Sequence, residues 1–191
     1  VGPVQFGWAH SMHPVETKYV QGTVVMPSKD VAAGAPGEDD EGATQGTIWT
    51  TYTLPFAVFA MPGVVNASIA KDTGMQADDM DALLRALWYG TLNRQARGRG
   101  MQKPLLLVHV EYADDFFRIG YLEEKVGLVP NDRETWQGES PPSSLQEVAL
   151  DLRGLSQTLA ANADRIARVR VKRAEDIRID GAIHGSQPLG V

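Results

Sequence analysis

The sequence contains no cysteine, and this absence excludes several kinds of chemistry. Disulfide bonds, thiol nucleophiles, cysteine-ligated zinc and iron–sulfur clusters all require that side chain. Only four histidines are present, so imidazole ligands for a metal are also scarce. Apolar runs such as 105–108 are far shorter than the roughly 20 residues that span a bilayer. We therefore expect a protein with no metal, no cofactor and no membrane contact, working in a reducing cytoplasm.

What the sequence does contain is typical of a globular domain. Its 191 residues are 43% hydrophobic and 22% charged, enough apolar material for one domain or one domain with a large insertion. The formal net charge is −6, from 18 basic and 24 acidic residues. This balance argues weakly against a nucleic-acid binder, so the positions of the basic residues decide the question.

The pattern of apolar residues predicts an α+β fold. Strands are expected at 3–10, 17–26, 47–59, 104–112 and 165–173, and helices at 64–72, 77–89 and 144–161. Ser144 followed by Glu147 fits a helix-capping box, and 119–143 is expected to be mostly loop. This order favours a ferredoxin-like or RNA-recognition arrangement, in which helices cover one face of a sheet and the other face is open to a ligand.

A glycine-rich segment between two predicted strands divides the domain. Residues 27–46 include the acidic run 38–41 and can bury little, so they are expected to form an exposed arm. The predicted organisation is therefore a palm domain at 1–21 and 50–175, an inserted arm at 22–49 and a flexible tail at 176–191.

The most basic segment is 93–103, which holds four cations, no acid and interleaved glycines. Guanidinium groups match phosphate geometry with paired donors and can stack on bases, so the segment is a candidate for binding nucleic acid. The alternative is a solvated loop at a helix C-terminus, where basic residues favour the helix dipole. The cations are Arg94, Arg97, Arg99 and Lys103.

A second basic set alternates along the last predicted strand. It consists of Arg165, Arg168, Arg170, Lys172 and Arg173. Here a solvent-facing edge strand, protected from aggregation by charge, is favoured over a nucleic-acid surface.

A polar cluster follows the first predicted strand. His10, Ser11 and His13 could serve as acid, base and nucleophile, or could contact a phosphate. A polar turn is the commoner explanation, because no nucleophile elbow and no HExxH pattern accompanies them.

Aromatic residues offer a further candidate surface, since exposed rings can stack on bases. Trp49, close to the arm, is the residue that we expect to be exposed. Trp8, Phe56 and Phe59 are expected in the core.

Four blocks of this sequence resemble the CRISPR-associated "seven" family, the backbone subunit of the type I Cascade surveillance complex. They are GPVQFGWAHSMHPVE, VQGTVVMPSKD, YTLPFAVFAMPGVVNASIAKDTG and MDALLRALWYGTLNRQARG, at 2–16, 20–30, 52–74 and 80–98. The resemblance extends over about residues 1–125 and is closest to the type I-B and I-C versions. Family members begin with an N-terminal strand and a long insertion, so this chain is expected to lack an N-terminal part.

The resemblance implies an RNA-recognition-like palm with a β-hairpin thumb that is not an enzyme. Several copies would wrap one crRNA, contact other Cascade subunits and engage target DNA through the guide in antiviral defence. The residues expected to bind RNA are His10, Ser11, His13, Lys29, Trp49, Arg94, Arg97, Arg99 and Lys103.

Two other functions remain open from the sequence. One is a metal-independent endoribonuclease that processes guide RNA with His10 and His13. The other is a protein-interaction module whose arm docks on a partner without RNA.

Overall fold

The computed structural model describes residues 2–23, 48–95, 100–131 and 141–190. The chain forms two compact units. The main unit comprises Val1–Pro14 and Ala57–Val191, and the ribbon unit comprises Val15–Phe56. Lys29, the acidic run 38–41 and most of the predicted arm lie outside the described residues, as do Arg97 and Arg99.

The described residues form short strands, three helices and three single turns of 3₁₀ helix. The strands are β1 (Val4–Phe6), β2 (His10–Ser11), β3 (Lys18–Thr23), β4 (Ile48–Thr53), β5 (Phe59–Ala60), β6 (Gly63–Val65), β7 (Leu106–Tyr112), β8 (Gly127–Pro130), β9 (Val148–Asp151), β10 (Ile166–Arg173), β11 (Arg178–Asp180) and β12 (Gln187–Pro188). The helices are α1 (Ala67–Thr73), α2 (Ala77–Leu92) and α3 (Arg153–Ala160), and the 3₁₀ turns are Leu122–Lys125, Leu145–Glu147 and Ala163–Arg165.

Two three-stranded sheets organise the main unit, in the strand orders β12-β10-β7 and β11-β9-β8. β10 runs antiparallel to β7, with Val169 opposite Val110, and parallel to β12. One face of this sheet packs on α3 and the C-terminal segment. The cluster there consists of Leu152, Leu155, Leu159, Val169 and Ile183, with Leu106, Val108 and Val110 packed against it. Burial of each such side chain contributes about 1.5–3 kcal/mol.

Helix α2 is connected to the same sheet through polar and aromatic side chains. Leu84 and Trp88 are buried one turn apart on α2, as the helical spacing in this segment predicts. Asp79 accepts a hydrogen bond from the backbone N–H of Gln76 at the start of the helix. The Asp81 carboxylate contacts Arg170 of β10 at 2.6 Å. Near the other end of α2, the Lys172 ammonium of β10 lies over the Trp88 and Tyr89 rings, so both ends of the helix contact β10 before the basic segment departs.

The prediction of one long helix over 144–161 is wrong. The structure has a single 3₁₀ turn, then β9, and then α3 over only eight residues. Val148, Ala149 and Leu150 are consecutive and all buried. A strand between β8 and β11 can bury three consecutive side chains, whereas an amphipathic helix buries only one stripe. Ser144 does bond to Glu147, but only across that one turn.

The prediction of a flexible tail over 176–191 is also wrong. Ile177, Ile183 and Leu189 are buried, and β11 and β12 pair with β9 and β10. The N–H of Leu189 donates to Val171 at 2.9 Å. Residues 119–143, expected to be mostly loop, include a 3₁₀ turn and β8.

The described residues of the ribbon unit form a two-stranded antiparallel ladder of β3 and β4, in register from Lys18–Thr53 to Thr23–Ile48. The chain as described is therefore a mixed α/β protein. No helix among the described residues has the length and apolar character needed to cross a bilayer.

Candidate nucleic-acid interface

Many cations of the described residues are engaged by carboxylates. The ion pairs are Lys71–Asp115, Lys103–Asp176, Arg153–Asp151, Arg165–Asp114, Arg168–Glu111, Arg170–Asp81 and Arg178–Asp180. A paired cation can contact a phosphate only by giving up or sharing its carboxylate. These pairs therefore separate basic residues that are available to a polyanion from those that are not.

The basic set on β10 is largely neutralised. Arg168 meets Glu111 of β7 at 2.6 Å. Arg170, only 13% exposed at its side chain, bonds to Asp81 at 2.6 Å. Lys172 lies over the Trp88 and Tyr89 rings, 5.1 Å from each centroid. β10 is also a central strand between β7 and β12, so the prediction of a charged edge strand is wrong.

His109 of β7 lies beside this cluster. Burial is the largest cause that lowers the pKa of His109, and the positive charge of Arg170 lowers it further. Arg170 Nε donates toward His109 Nδ1 at 3.4 Å. The hydrogen bond from Arg170 likewise lowers the pKa of Asp81. The imidazole is therefore neutral at pH 7 and adds no positive charge to this face.

The basic segment begins where α2 ends. The Asn93 side chain and the Asn93 backbone N–H both donate to the Tyr89 carbonyl in the last turn of the helix. Arg94 follows, exposed, with no side-chain ion pair to any residue that the structure describes. Lys103, at the other end of the segment, is paired with Asp176. Of the four predicted cations, Arg94 is the described one that is free to contact a phosphate.

The structure adds one cation, Arg173, that the sequence predicts to belong to the second basic set. Arg173 is exposed at the end of β10, opposite Leu106 at the start of β7. The next residue, Ala174, donates its N–H to Leu105. Arg173 therefore emerges beside the exit of the basic segment. The sequence does identify Arg173 as basic, because it ends the alternating run. It does not show that Arg173 lies beside the end of the basic segment.

The polar cluster at 10–13 is split between surface and interior. His10 and Ser11 form β2 and are exposed opposite Ala60 and Phe59. His13 is 5% exposed. Its Nε2 accepts the N–H of Val58 at 3.2 Å, and its Nδ1 donates to the Pro14 carbonyl at 2.7 Å.

These bonds fix the Nδ1–H tautomer and occupy both ring nitrogens. We interpret His13 as a residue that joins the segment after β2 to the segment before β5. A general base needs a free lone pair directed at its substrate. The arrangement therefore does not favour the endoribonuclease alternative.

Two aromatic residues predicted for the core are exposed. Trp8 is 87% exposed and Phe59 is 52% exposed, so those predictions are wrong, while Phe56 is partly buried. Among the described residues, β1 pairs with β6 and β2 with β5 as separate two-stranded ladders, and Trp8 lies between β1 and β2, so neither ring belongs to one of the three-stranded sheets that carry the core.

The ribbon unit also carries aromatic residues on its surface. Trp49 is 45% exposed, in agreement with its predicted exposure. Its ring lies against Gly22, where a Cβ would come within 2.5 Å of the indole. Tyr19 and Tyr52, a pair not predicted from the sequence, meet edge to face with their ring centroids 5.5 Å apart. Alternation along β3 and β4 was the signal that could have found them.

Among the described residues, no group of three or more His, Asp or Glu side chains is placed to hold a metal ion.

Comparison with known proteins gives three similarities. The family model for CRISPR-associated protein Cas7 matches residues 1–153. The CRISPR-associated protein Cas7 of Haloferax volcanii is 26% identical over 172 residues, which are 89% of this chain and 46% of that protein. This chain thus spans about half the length of that curated relative. A chain of a solved CRISPR RNA-guided surveillance complex matches 97% of this chain and 64% of its own length, at a TM-score of 0.52 and 15% identity, and this similarity is one of fold alone.

Proposed function

The chain belongs to the CRISPR-associated protein Cas7 family, whose model matches residues 1–153, and we propose that it is a crRNA-binding backbone subunit of a type I Cascade complex. In this role it holds the RNA by its phosphates, and base pairing of the guide reads the target DNA. The family match is the observation that carries the proposal. Its similarity to a chain of an RNA-guided surveillance complex supports it at the level of fold.

The proposed RNA path runs along the basic segment. Arg94 is exposed and unpaired within the described residues, and Arg173 emerges beside the segment's other end. Lys103 can join them by exchanging Asp176 for a phosphate. Arg97 and Arg99 complete the set between these ends. Glycines at 98 and 100 let the backbone N–H groups approach the RNA as well.

Further contacts are proposed from the polar cluster and the arm. His10 and Ser11 offer exposed donors on β2. Trp49 offers a ring for base stacking, and Lys29 offers a cation on the arm. His13 is left out of this set because both of its ring nitrogens are bonded to the backbone.

The remaining parts of the proposal follow the family. The main unit acts as a ferredoxin-like, RNA-recognition-type palm and the 22–49 arm as its thumb. Several copies and other Cascade subunits assemble on one crRNA in the cytoplasm, in a complex of the I-B or I-C kind. The subunit holds RNA without cleaving it, which is supported by the engagement of His13.

The test compares two triple variants with the same loss of charge. Arg94→Ala, Arg97→Ala and Arg99→Ala remove three cations of the basic segment. The matched control replaces Arg85, Arg118 and Lys125 by alanine, three exposed residues without an ion pair among the described residues. Binding of a labelled single-stranded RNA is followed by fluorescence anisotropy at several salt concentrations.

The loop variant is expected to bind at least about 10-fold more weakly at low salt, and its salt slope should fall by about 2, since each lost phosphate contact removes about 0.7. The control should keep the parent's slope, and circular dichroism should show both variants folded. A loop variant with the parent's affinity and slope would show that the RNA lies elsewhere.

A further inference from the structure

Helix α2 carries its buried and ion-paired side chains along one stripe. Asp81, Leu84 and Trp88 are spaced three and four residues apart, which places them on the same face of the helix. Leu84 and Trp88 are buried, and Asp81 bonds to Arg170 of β10. The apolar part of the stripe stabilises the packing of the helix, but the hydrophobic effect is non-directional. The ion pair is therefore the part that can define where α2 lies along the sheet.

The Arg170 guanidinium is held by two neighbouring elements. Its side chain is only 13% exposed. One Nη donates to the Asp81 carboxylate of α2 at 2.6 Å, and Nε donates toward Nδ1 of His109 on β7 at 3.4 Å. A guanidinium presents its donors in a rigid planar fork, so these two partners fix its orientation. Arg170 thus links α2, β7 and β10, and its donors are directed at these partners rather than at a phosphate.

A second ion pair on the same face of β10 does not reach the helix. Arg168 and Arg170 lie two positions apart on one strand, so their side chains are on the same face of the sheet. Arg168 bonds to Glu111 at 2.6 Å, but Glu111 belongs to β7, which already pairs with β10 through the backbone. The Arg168–Glu111 pair therefore stays within the sheet, whereas the Arg170–Asp81 pair joins the sheet to α2.

The position of α2 decides where the basic segment begins. Arg94 lies two residues after the last residue of the helix. The other end of the segment is attached to the sheet by different bonds. There Lys103 pairs with Asp176, and the Leu105 carbonyl accepts the N–H of Ala174. A shift of α2 along the sheet would therefore move Arg94 and leave the other end of the segment in place.

We propose that Arg170 is a positioning residue for the RNA path and acts through Asp81 and α2. By fixing where α2 lies on the sheet, it holds Arg94 at one separation from Arg173, which ends β10. Polar groups enclosed between packed elements are best attested as devices that fix register, and here the register is that of α2 along β10. Cations that are already spaced for neighbouring phosphates lose less entropy when RNA binds.

The inference rests on the proposed function for the identity of the ligand, but the position of α2 can be measured without RNA. The chain has no cysteine, so Leu92→Cys with Gln157→Cys places one spin label at the end of α2 and one on α3, whose Leu155 and Leu159 pack on the opposite face of the sheet. Pulsed electron paramagnetic resonance of the full 191-residue chain gives the distribution of the label separation.

Two matched substitutions are compared in this labelled chain. Asp81→Asn and Glu111→Gln each remove one carboxylate charge from an arginine of β10, and only the first of these carboxylates is on α2. Asp81→Asn should shift or broaden the distribution of the label separation. Glu111→Gln should leave the distribution unchanged, and circular dichroism should show both variants folded.

RNA affinity is then measured by fluorescence anisotropy with a labelled single strand. Loss of a carboxylate by itself favours a polyanion, so Glu111→Gln should bind as tightly as the parent or more tightly. Asp81→Asn should instead bind about 3- to 30-fold more weakly, the range for residues that act through another element. In an Arg94→Ala background, Asp81→Asn should weaken binding less than about 2-fold, because the cation that it misplaces is already absent.

Exchange of the two charges provides the rescue. Asp81→Arg combined with Arg170→Asp rebuilds the ion pair in the opposite sense and should restore RNA affinity to within about 3-fold of the parent. An unchanged label separation in Asp81→Asn would overturn the inference. Tighter RNA binding by Asp81→Asn would also overturn it, since Arg170 would then be an RNA contact that Asp81 masks. A parent that binds no RNA would refute the proposed function, and the label separation would still decide whether Arg170 positions α2.

Discussion

Replacing His13 distinguishes a structural role for this residue from a role in binding or cleaving RNA. The imidazole is buried and bonded at both nitrogens, to the N–H of Val58 and the carbonyl of Pro14. His13→Ala leaves the Val58 N–H without its acceptor in a buried position, which costs about 1–3 kcal/mol. It also leaves a cavity the size of the lost ring. We expect the free energy of unfolding to fall by about 3–4 kcal/mol, a large fraction of a domain's roughly 5–15 kcal/mol.

Two further variants control this measurement. His13→Gln places an amide oxygen where it can accept the Val58 N–H, so it should restore about half of the loss. His10→Ala removes an exposed ring and should change the free energy of unfolding by less than about 0.5 kcal/mol.

The assay is urea unfolding followed by far-ultraviolet circular dichroism at pH 7. RNA affinity is measured below the unfolding transition. A His13→Ala variant as stable as the parent, but with weakened RNA binding, would refute the structural assignment. Cleavage of RNA by the parent that disappears in His13→Ala would refute it too.

Three other predictions concern the core around α3. Gly154→Ala should destabilise the fold by about 1 kcal/mol despite alanine's higher helix propensity, because the new Cβ would lie 2.9 Å from the Lys125 carbonyl oxygen; thermal unfolding measures this. Leu155→Ala should lower the free energy of unfolding in urea by about 2–5 kcal/mol, since Leu155 is one of the most buried side chains. If Leu155→Ala lowered it less than Leu155→Val does, the packing described here would be contradicted. The hydrogen bonds from Arg153 lower the pKa of Asp151 from 3.8 to about 2. The stability that this bond contributes is thus present above about pH 4 and is lost as pH falls toward 2, and Asp151→Asn should remove that part of the pH dependence of urea unfolding.

Local sequence patterns predicted the helices and strands in which the buried residues follow the ordinary spacing of that element. The spacing of Leu84 and Trp88 identifies α2, and the apolar run of 106–112 identifies β7. The same reasoning failed over 144–161, where Val148, Leu152 and Leu155 also fit a helical stripe. The buried sequence Val148-Ala149-Leu150 becomes a strand because β8 and β11 flank it, and no local signal reports those neighbours.

The prediction for the end of the chain failed for the same reason. Glycines and a proline suggested a flexible tail, yet β11 and β12 are held by parallel pairing with β9 and β10. Parallel pairing between distant segments leaves little trace in a short sequence window.

The candidate site was predicted in part. The exposure of Arg94 follows from its place after α2, and the exposure of Trp49 follows from its place on a two-stranded ribbon. The neutralisation of β10 could not be foreseen. Arg168 bonds to Glu111, which is 57 positions away in the sequence, and Arg170 bonds to Asp81, which is 89 positions away. Only the fold brings these charges together.

The most direct test of the proposed function is a salt titration of RNA binding by the parent chain. A labelled single-stranded RNA of about 40 nucleotides is titrated with the protein at several salt concentrations and followed by fluorescence anisotropy. We expect tight binding that is indifferent to RNA sequence and weakens steeply as salt rises, because phosphates are the groups held. Absence of binding at low salt, or binding that does not respond to salt, would contradict the proposal.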